Sequence, residues 1–402
     1  MKSLVFAGGL ALLALMPRQD ALPIVTWRTD FEAARREAEA TKKPLFVIFQ
    51  CERRAAQGSD TQLLSPKDPK LARLLSEKFV PVRLGSLKEV DLSRFHFDYD
   101  QMFMALGQTP EGKTLFRWSP QGDDPTALAD LTALLDRSWP ASEKPIPALA
   151  APRTLLDDTQ FAQTKRATTP CYHCHYAHDA ELARLRKAGM LKKSMLFRYP
   201  PPETIGITLE GAASAKVKAI APGSAAAKAG LKEGDVLTTL NDQPIYTTQD
   251  MRHALDGVNS SILVTLERAG SRQARVFTLT SGWKTYDISD RPSQGGVPPV
   301  LGIWEEALTP DQKKPLYIPE DRMALRVSFL FPGEKWKPGQ GDLQLGDVII
   351  AADGKVLPAM APRQFHTWIR LNKEVGQTVS LTVLRDGARK IIPVGCIDVG
   401  EL

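Results

Sequence analysis

Ala221-Pro222-Gly223-Ser224-Ala225-Ala226-Ala227-Lys228-Ala229-Gly230-Leu231, closed by Gly234-Asp235-Val236-Leu237, decides the fold, because the sequence around it returns in the same order further down the chain. The first copy opens with Thr204-Ile205-Gly206-Ile207, passes through that stretch and reaches Asn241. The second runs Val300-Leu301-Gly302-Ile303, Phe331-Pro332-Gly333, Leu345-Gly346-Asp347-Val348-Ile349 and Asp353-Gly354, and ends at an Arg385-Asp386-Gly387 hairpin. Strands rich in Val, Leu and Ile bracket one helix per copy, expected over residues 248–255 and 363–371. Self-similarity of this kind marks a duplicated module, so two small α+β units are expected in the carboxy-terminal half.

Toward the amino terminus the pattern changes to alternating helices and strands. Thr29 or Asp30 can cap a helix through Thr41, with Phe31, Ala34 and Ala38 on one face, and Lys42-Lys43-Pro44 stops it. Leu45-Phe46-Val47-Ile48-Phe49 is a continuous apolar run, typical of a strand covered on both faces. Leu71, Leu74 and Leu75 mark a helix leading into the strand of Val80, Val82 and Leu84. Thr114-Leu115-Phe116-Arg117-Trp118 reads as a further strand, and residues 128–135 as a closing helix. The expected fold class is therefore multidomain, an α/β unit followed by two α+β modules.

The element order over residues 24–138, with Trp27, Lys43-Pro44 before the buried strand and Cys51 just after it, resembles the thioredoxin fold of exported, thioredoxin-like proteins. That group carries Cys-x-x-Cys where this chain reads Cys51-Glu52-Arg53-Arg54, and exchange through a mixed disulfide needs a second thiol to resolve it. Cys51 is left as a lone candidate for a reactive thiol, or as a buried structural one. The repeated modules resemble PDZ domains of bacterial exported proteins, the first over residues 201–283 and a looser, PDZ-like copy over residues 299–396. The second carries an insertion at residues 305–320 and replaces the small-residue helix turn by Glu334-Lys335-Trp336-Lys337-Pro338. Together, the order of signal peptide (1–23), thioredoxin-like domain (24–138), linker (139–166), Cys-His segment (167–200), PDZ domain, linker (284–298) and PDZ-like domain is similar to an arrangement in exported proteins of planctomycete-type bacteria.

The PDZ resemblance implies a binding mode: an extended peptide adds to a sheet edge beside a helix, and backbone N–H groups of a tight loop hold its terminal carboxylate. Thr204, Ile205, Gly206 and Ile207 would form that loop in the first copy, and Leu301, Gly302 and Ile303 in the second. Gly206 lets the main chain approach the anion, while Ile205 and Ile207 wall the pocket for the last side chain. Met251 and Leu255 are candidates for the helix wall, and His253 reads as a solvated helix residue. C-terminal or extended peptides of exported proteins are the expected partners.

Cys171-Tyr172-His173-Cys174-His175 matches the attachment signature of a c-type haem, each thiol adding to one porphyrin vinyl group and His175 ligating the iron. Met190 or Met195 is then the candidate sixth ligand, since His178 would share His175's side of the ring. A Cys-x-x-Cys in an exported chain can equally be a redox-active or structural disulfide, and Cys with His can bind zinc. His96-Phe97-Asp98-Tyr99-Asp100 has the composition of a metal cluster, but one His and two alternating acids suit an exposed edge as well. His366, between Phe365 and Trp368, reads as helix packing.

A chain of 402 residues, 43% hydrophobic and 24% charged, is ordinary globular material for several domains. Its net charge of +6 is dispersed among acids, so nucleic acid is not an expected partner. Lys2 and the apolar run of residues 4–16 read as a secretory signal, too short for a membrane-crossing helix. Pro17-Arg18-Gln19-Asp20-Ala21 offers no small-x-small cleavage site, so membrane contact is expected only where that segment stays uncleaved. The expected location is exported, in the periplasm or envelope. No Gly-x-Ser-x-Gly elbow or serine-protease turn is present in the sequence, which argues against a protease. The leading expectation is an exported PDZ peptide-binding scaffold with a degenerate thioredoxin-like domain and a haem at Cys171, Cys174 and His175. The alternatives are a periplasmic thiol-disulfide or electron-transfer protein using Cys171 and Cys174, and a zinc-binding or purely structural Cys-His segment.

Overall fold

The computed structural model describes residues 22–50, 59–120, 125–139 and 153–400. The signal segment and Cys51 lie outside the described residues. Asp30 caps helix α1 (Phe31–Thr41) by accepting from the Ala33 N–H, and Lys42 ends it in the left-handed region at φ 58°. The apolar run that follows is strand β1 (Leu45–Gln50), buried throughout. Helices α2 (Ser59–Leu64) and α3 (Pro69–Arg73) lead into β2 (Val80–Leu84), β3 (Phe103–Gln108), β4 (Thr114–Trp118) and α4 (Ala127–Leu135). Sheet order is β2-β1-β3-β4, with β1 parallel to β2 and antiparallel to β3. Because β1 is central, both its faces are apolar: Leu45, Val47 and Phe49 enter one core, Phe46 and Ile48 the other.

Residues 153–166, expected as linker, belong to this unit. Leu155 and Phe161, the latter on α5 (Thr159–Ala162), are buried in the same cluster as Phe49, and so are Tyr172 and Tyr176 at the start of α6 (Tyr176–Lys187). Their anchors are single residues between short turns, which leaves no periodicity to detect.

The first repeat contains β5 (Ile207–Leu209), β6 (Val217–Ile220), α7 (Ala225–Lys228), β7 (Val236–Leu240), β8 (Gln243–Pro244), α8 (Thr248–Asp256), β9 (Ser261–Arg268) and β10 (Ser271–Thr278). The second contains β11 (Ile303–Ala307), α9 (Pro310–Lys313), β12 (Leu325–Leu330), β13 (Val348–Ala352), α10 (Pro362–Asn372), β14 (Thr378–Arg385) and β15 (Ala388–Gly395). The second forms one sheet, β11-β12-β13-β14-β15, whereas in the first β5 and β6 pair apart from the sheet β10-β9-β7-β8. A 3-10 turn at Glu334–Gly339 stands where the first copy has the Ala-rich α7.

Repetition extends to side chains. Arg268 grips the buried Asp235 through two nitrogens at 2.6 and 2.7 Å, and Arg385 grips the buried Asp347 at 2.7 and 2.6 Å. Both hairpins turn on two residues of positive φ, Ala269-Gly270 and Asp386-Gly387, which matches the twist of the strands they join. The connector between the copies, expected as a free linker, is packed down: Ile288 is buried with Leu182 and Leu196, and Arg291, Ser293 and Gln294 are buried too. Among the described residues, no helix is long and apolar enough to cross a membrane.

Candidate functional site

In the first repeat, β5 and α8 pack against the same core. A 3-10 turn at Pro202–Ile205 ends on Gly206, which sits at φ 86° and donates its N–H to the Glu203 carbonyl at 3.0 Å. The Gly206 carbonyl accepts from Ala221 at 2.9 Å. Ile207 and Leu209 are one residue out of phase with that bond, so their backbone groups face the other edge of β5, which pairs with no strand among the described residues. A Cβ at Gly206 would meet the Ser224 Cβ at 2.1 Å, and Ser224 caps α7 by accepting from the Ala227 N–H at 3.1 Å. Glycine is thus required by the packing of the turn on α7 as well as by its left-handed φ. Ile205 and Ile207 are buried with Met251 and Leu255 of α8, and the Thr204 hydroxyl donates to the Pro201 carbonyl at 2.8 Å.

The second repeat keeps the strand and helix, β11 and α10, but changes the loop. Gly302 donates its N–H to the Gly339 carbonyl at 2.7 Å, and a Cβ there would meet the Trp336 carbonyl at 2.4 Å. The turn that replaced the Ala-rich helix therefore fills the loop from within, and Leu301 and Ile303 belong to the core. Between β11 and α10, Glu305 Oε2 lies 3.0 Å from His366 Nε2, both residues buried, and Trp304 stacks on the imidazole at 5.2 Å and 12°. A register shift between Trp304 and Glu305 explains how two successive side chains both reach α10.

Cys171 and Cys174 sit on the amino-terminal unit beside the carboxyl end of β2. Cys171 Sγ lies 3.7 Å from the Gly85 carbonyl, the Tyr172 N–H donates to Ser86 Oγ at 2.9 Å, and the Leu87 N–H donates to the Tyr172 carbonyl at 3.0 Å. Tyr172 is fully buried and Cys174 packs against the same core. His175 precedes α6, and its Nδ1 lies 3.0 Å from the Asp179 carboxylate, which Arg166 also holds. That leaves Nε2 for a metal, as an iron or zinc ligand requires.

The rest of a haem site does not fit. Met190 lies past the far end of the twelve-residue α6, roughly 18 Å along its axis from His175. Met195 shares a cleft with Glu181, Leu182 and Leu185, in the middle of α6. Tyr172, between the two cysteines, is anchored in the core, while both thiols are partly exposed. Nor do Cys171, Cys174 and His175 gather their ligand atoms as a preformed zinc site would; among the described residues, Asp98, Asp100 and His178 do so, within 4.8 Å of one another. Cys396 is buried in the core of the second repeat.

That carboxylate-histidine cluster is the polar site sequence reasoning missed. The His96-Phe97-Asp98-Tyr99-Asp100 stretch, expected on an exposed edge, buries Asp98 and Asp100 along with Phe97 and Tyr99. Arg291 of the connector binds Asp98 through two nitrogens, each at 2.9 Å, and Asp100 at 2.7 Å. Ser293 donates its N–H and hydroxyl to Asp100 at 2.9 and 2.7 Å. His178 Nε2 lies 3.1 Å from the Tyr99 backbone nitrogen and 3.4 Å from Asp98, and Arg252 of α8 lies 3.6 Å from Asp98. Burial works to raise Asp98, but the Arg291 charge and the His178 contact outweigh it and hold the carboxyl well below the usual range. Arg291 already neutralises these carboxylates, so a cation would have to displace it. The cluster joins the amino-terminal unit, the connector and the first repeat.

A second contact clamps α8. The Arg117 N–H donates to Asp250 at 2.9 Å and the Thr247 hydroxyl donates to the Arg117 carbonyl, which covers the outer edge of β4. Burial outweighs the attraction of Arg117 and pushes Asp250 up to about 6. His253, expected in solvent, lies against Tyr199 with ring centroids 6.1 Å apart, and burial pushes it down to about 3. Helix α8 is thus held between its own core and the amino-terminal unit.

Residues 216–268 match the PDZ domain family, so the first repeat contains a PDZ domain. The chain is 28% identical over 192 residues to a probable periplasmic serine endoprotease, DegP-like, of Pseudomonas fulva (strain 12-X), a match covering 46% of this chain and 38% of that protein. It therefore spans well under half the length of that relative. Among solved structures it is similar to the HtrA3 PDZ domain bound to the phage-derived ligand FGRWV, with 19% identity, coverage of 18% of this chain and 81% of the other, and a TM-score of 0.17. It is also similar to the HtrA-type protease AlgW with a decapeptide, at 19% identity, 35% and 50% coverage and a TM-score of 0.20.

Proposed function

We propose that this is an exported peptide-binding protein whose first repeat captures the carboxy-terminal tails of other exported proteins, supported on a thioredoxin-like amino-terminal unit. The observation that carries it is the unpaired edge of β5, entered from the Gly206 turn, beside α8 of the PDZ domain matched over residues 216–268. A peptide adding there would bond to the backbone groups of Ile207 and Leu209, and its terminal carboxylate would take the Gly206 N–H from the Glu203 carbonyl. The sheet order β2-β1-β3-β4 supports the thioredoxin-like reading, and the apolar amino-terminal run together with the periplasmic relative supports export. The test is a titration of the full chain with one tail peptide as free acid and as amide; the free acid binds and the amide does not.

A second reading concerns Cys171 and Cys174, favoured by their place at the carboxyl end of β2, where ligand and reaction sites of open α/β sheets collect. A thiol pair there would stand in for the one absent from Cys51-Glu52-Arg53-Arg54, and Cys174 lies just ahead of α6, whose amino-terminal dipole favours a thiolate. Expression with a cytochrome-maturation system separates the chemistries. A colourless chain whose two sulfurs oxidise together in a redox-buffer titration supports exchange; a haem band that stays with the denatured chain supports haem c, and stoichiometric zinc supports a metal site.

A further inference from the structure

We propose that the second repeat binds an extended segment from within a partner polypeptide, chosen for a Lys or Arg side chain that pairs with Glu305. The proposal rests on the PDZ-like reading of that repeat. A chain terminus has no place there, since the Gly302 N–H already bonds to Gly339 and the Trp336 carbonyl fills the space beside it. A strand partner does: β11 is the edge of its sheet and pairs only with β12 among the described residues. Any segment added there lies over the Glu305 side chain, which crosses from β11 to His366 on α10.

Glu305 is 1% exposed, and while Oε2 faces His366, Oε1 has no hydrogen-bond partner. A buried carboxylate oxygen without a donor is costly, and a ligand that supplies one recovers that cost. Trp304, 40% exposed, covers the pair from the solvent side and offers an aromatic face, so its rotation opens the way to the carboxylate. A carboxylate beside an aromatic ring selects a cation and repels an acidic side chain or a free carboxyl terminus. The exposed Glu306 next to it adds charge of the same sign, partly offset by Arg326 across the strand pair.

The experiment titrates the full chain with an acetylated, amidated peptide of alternating valine and threonine with lysine at its centre, and with the same peptide carrying norleucine instead. Saturable binding of the lysine peptide is expected, weakened about tenfold or more by norleucine, as for a charge-assisted bond inside a groove. Glu305→Gln should make the two peptides equivalent; if that variant fails to fold, the lysine-norleucine pair on the unaltered chain decides alone. Equal binding of both peptides, binding only by free-acid peptides, or no binding overturns the proposal. Tail capture at the first repeat is measured separately with free-acid peptides, so either reading can fail without the other.

Discussion

The two repeats share one frame and diverge where a ligand would touch. Asp235 with Arg268 and Asp347 with Arg385 occupy the same place in each copy, as do the two-residue hairpins, because the frame needs them. The loops differ in kind. The Gly206 N–H is held by Glu203 in its own turn, whereas Gly302 is held by Gly339 at the end of a turn that displaced the small-residue helix. The helices differ as well: α8 is clamped to the amino-terminal unit through Asp250 and Arg252, and α10 is tied to its own β11 through His366 and Glu305. A duplicated module can thus keep its architecture, with the loop glycine buried in both copies, while the bonds that hold that loop differ.

The largest expected effect strikes the clamp. Asp98→Ala removes two of the buried carboxylate contacts of Arg291 and leaves it Asp100, so the cost should approach the about 3–5 kcal/mol of breaking a buried pair without exceeding it. Hydrogen exchange should then accelerate in α8 and the connector and stay unchanged in α10; equal acceleration in both repeats would break the contrast. Next comes Gly206→Val, which should weaken tail binding about a hundredfold, the scale of losing a central anchor. Both this substitution and Gly302→Val should lower the melting temperature of their own repeat, since a Cβ meets Ser224 at 2.1 Å in one and the Trp336 carbonyl at 2.4 Å in the other, but Gly302→Val should leave tail affinity alone.

Acidity sharpens the same contrast, because α8 is docked through titratable groups. The docked Asp250 takes up a proton below about 6, while the free side chain does so only near 3.8, so docking strengthens as pH falls from 7 toward 4, by about 3 kcal/mol at most. His178, raised above its usual value despite burial because Asp98 and Glu181 hold its charged form, acts in the same direction. Asp98 acts oppositely: its contribution is present above about 3.8 and is lost as pH falls further. His253 also opposes Asp250 and His178, because burial holds it neutral down to about 3 while the unfolded ring takes up its proton near 6.5, so its contribution is lost as pH falls below that value. Asp250→Asn should therefore make the melting temperature fall more steeply between pH 7 and 4 than in the unaltered chain, and a pH profile unchanged by that substitution would contradict the clamp. Smallest of all, Met190→Ala should change neither stability nor any haem spectrum, since that side chain is exposed beyond the end of α6.

What the sequence made legible was local. Asp30 as a cap, the buried run at Leu45–Gln50, the strand at Thr114–Trp118 and the repeat itself depend on short-range pattern, and the structure has them. The clamp could not be read, because Asp98 and Arg291 are 193 residues apart and an ion pair made by tertiary contact leaves no period in either stretch. The burial of Phe97 and Tyr99 on either side of Asp98 was the available signal, and it was outweighed by the polar residues between them. Glu305 was hidden for a different reason, since a β-bulge rather than simple alternation turns it toward α10. Residues 284–298 looked like linker because Pro292, Gly295, Gly296 and Pro298 cluster toward their end, yet single buried anchors hold them in place.

In the proposed function, the first repeat alone captures carboxyl termini. Calorimetric titration of the full chain with a lysine-free tail peptide as free acid tests it most directly, repeated with the amide and with Gly206→Val. One site per chain, lost in both controls, is the predicted result; two equivalent sites, or binding that survives amidation or the Gly206 substitution, would contradict it.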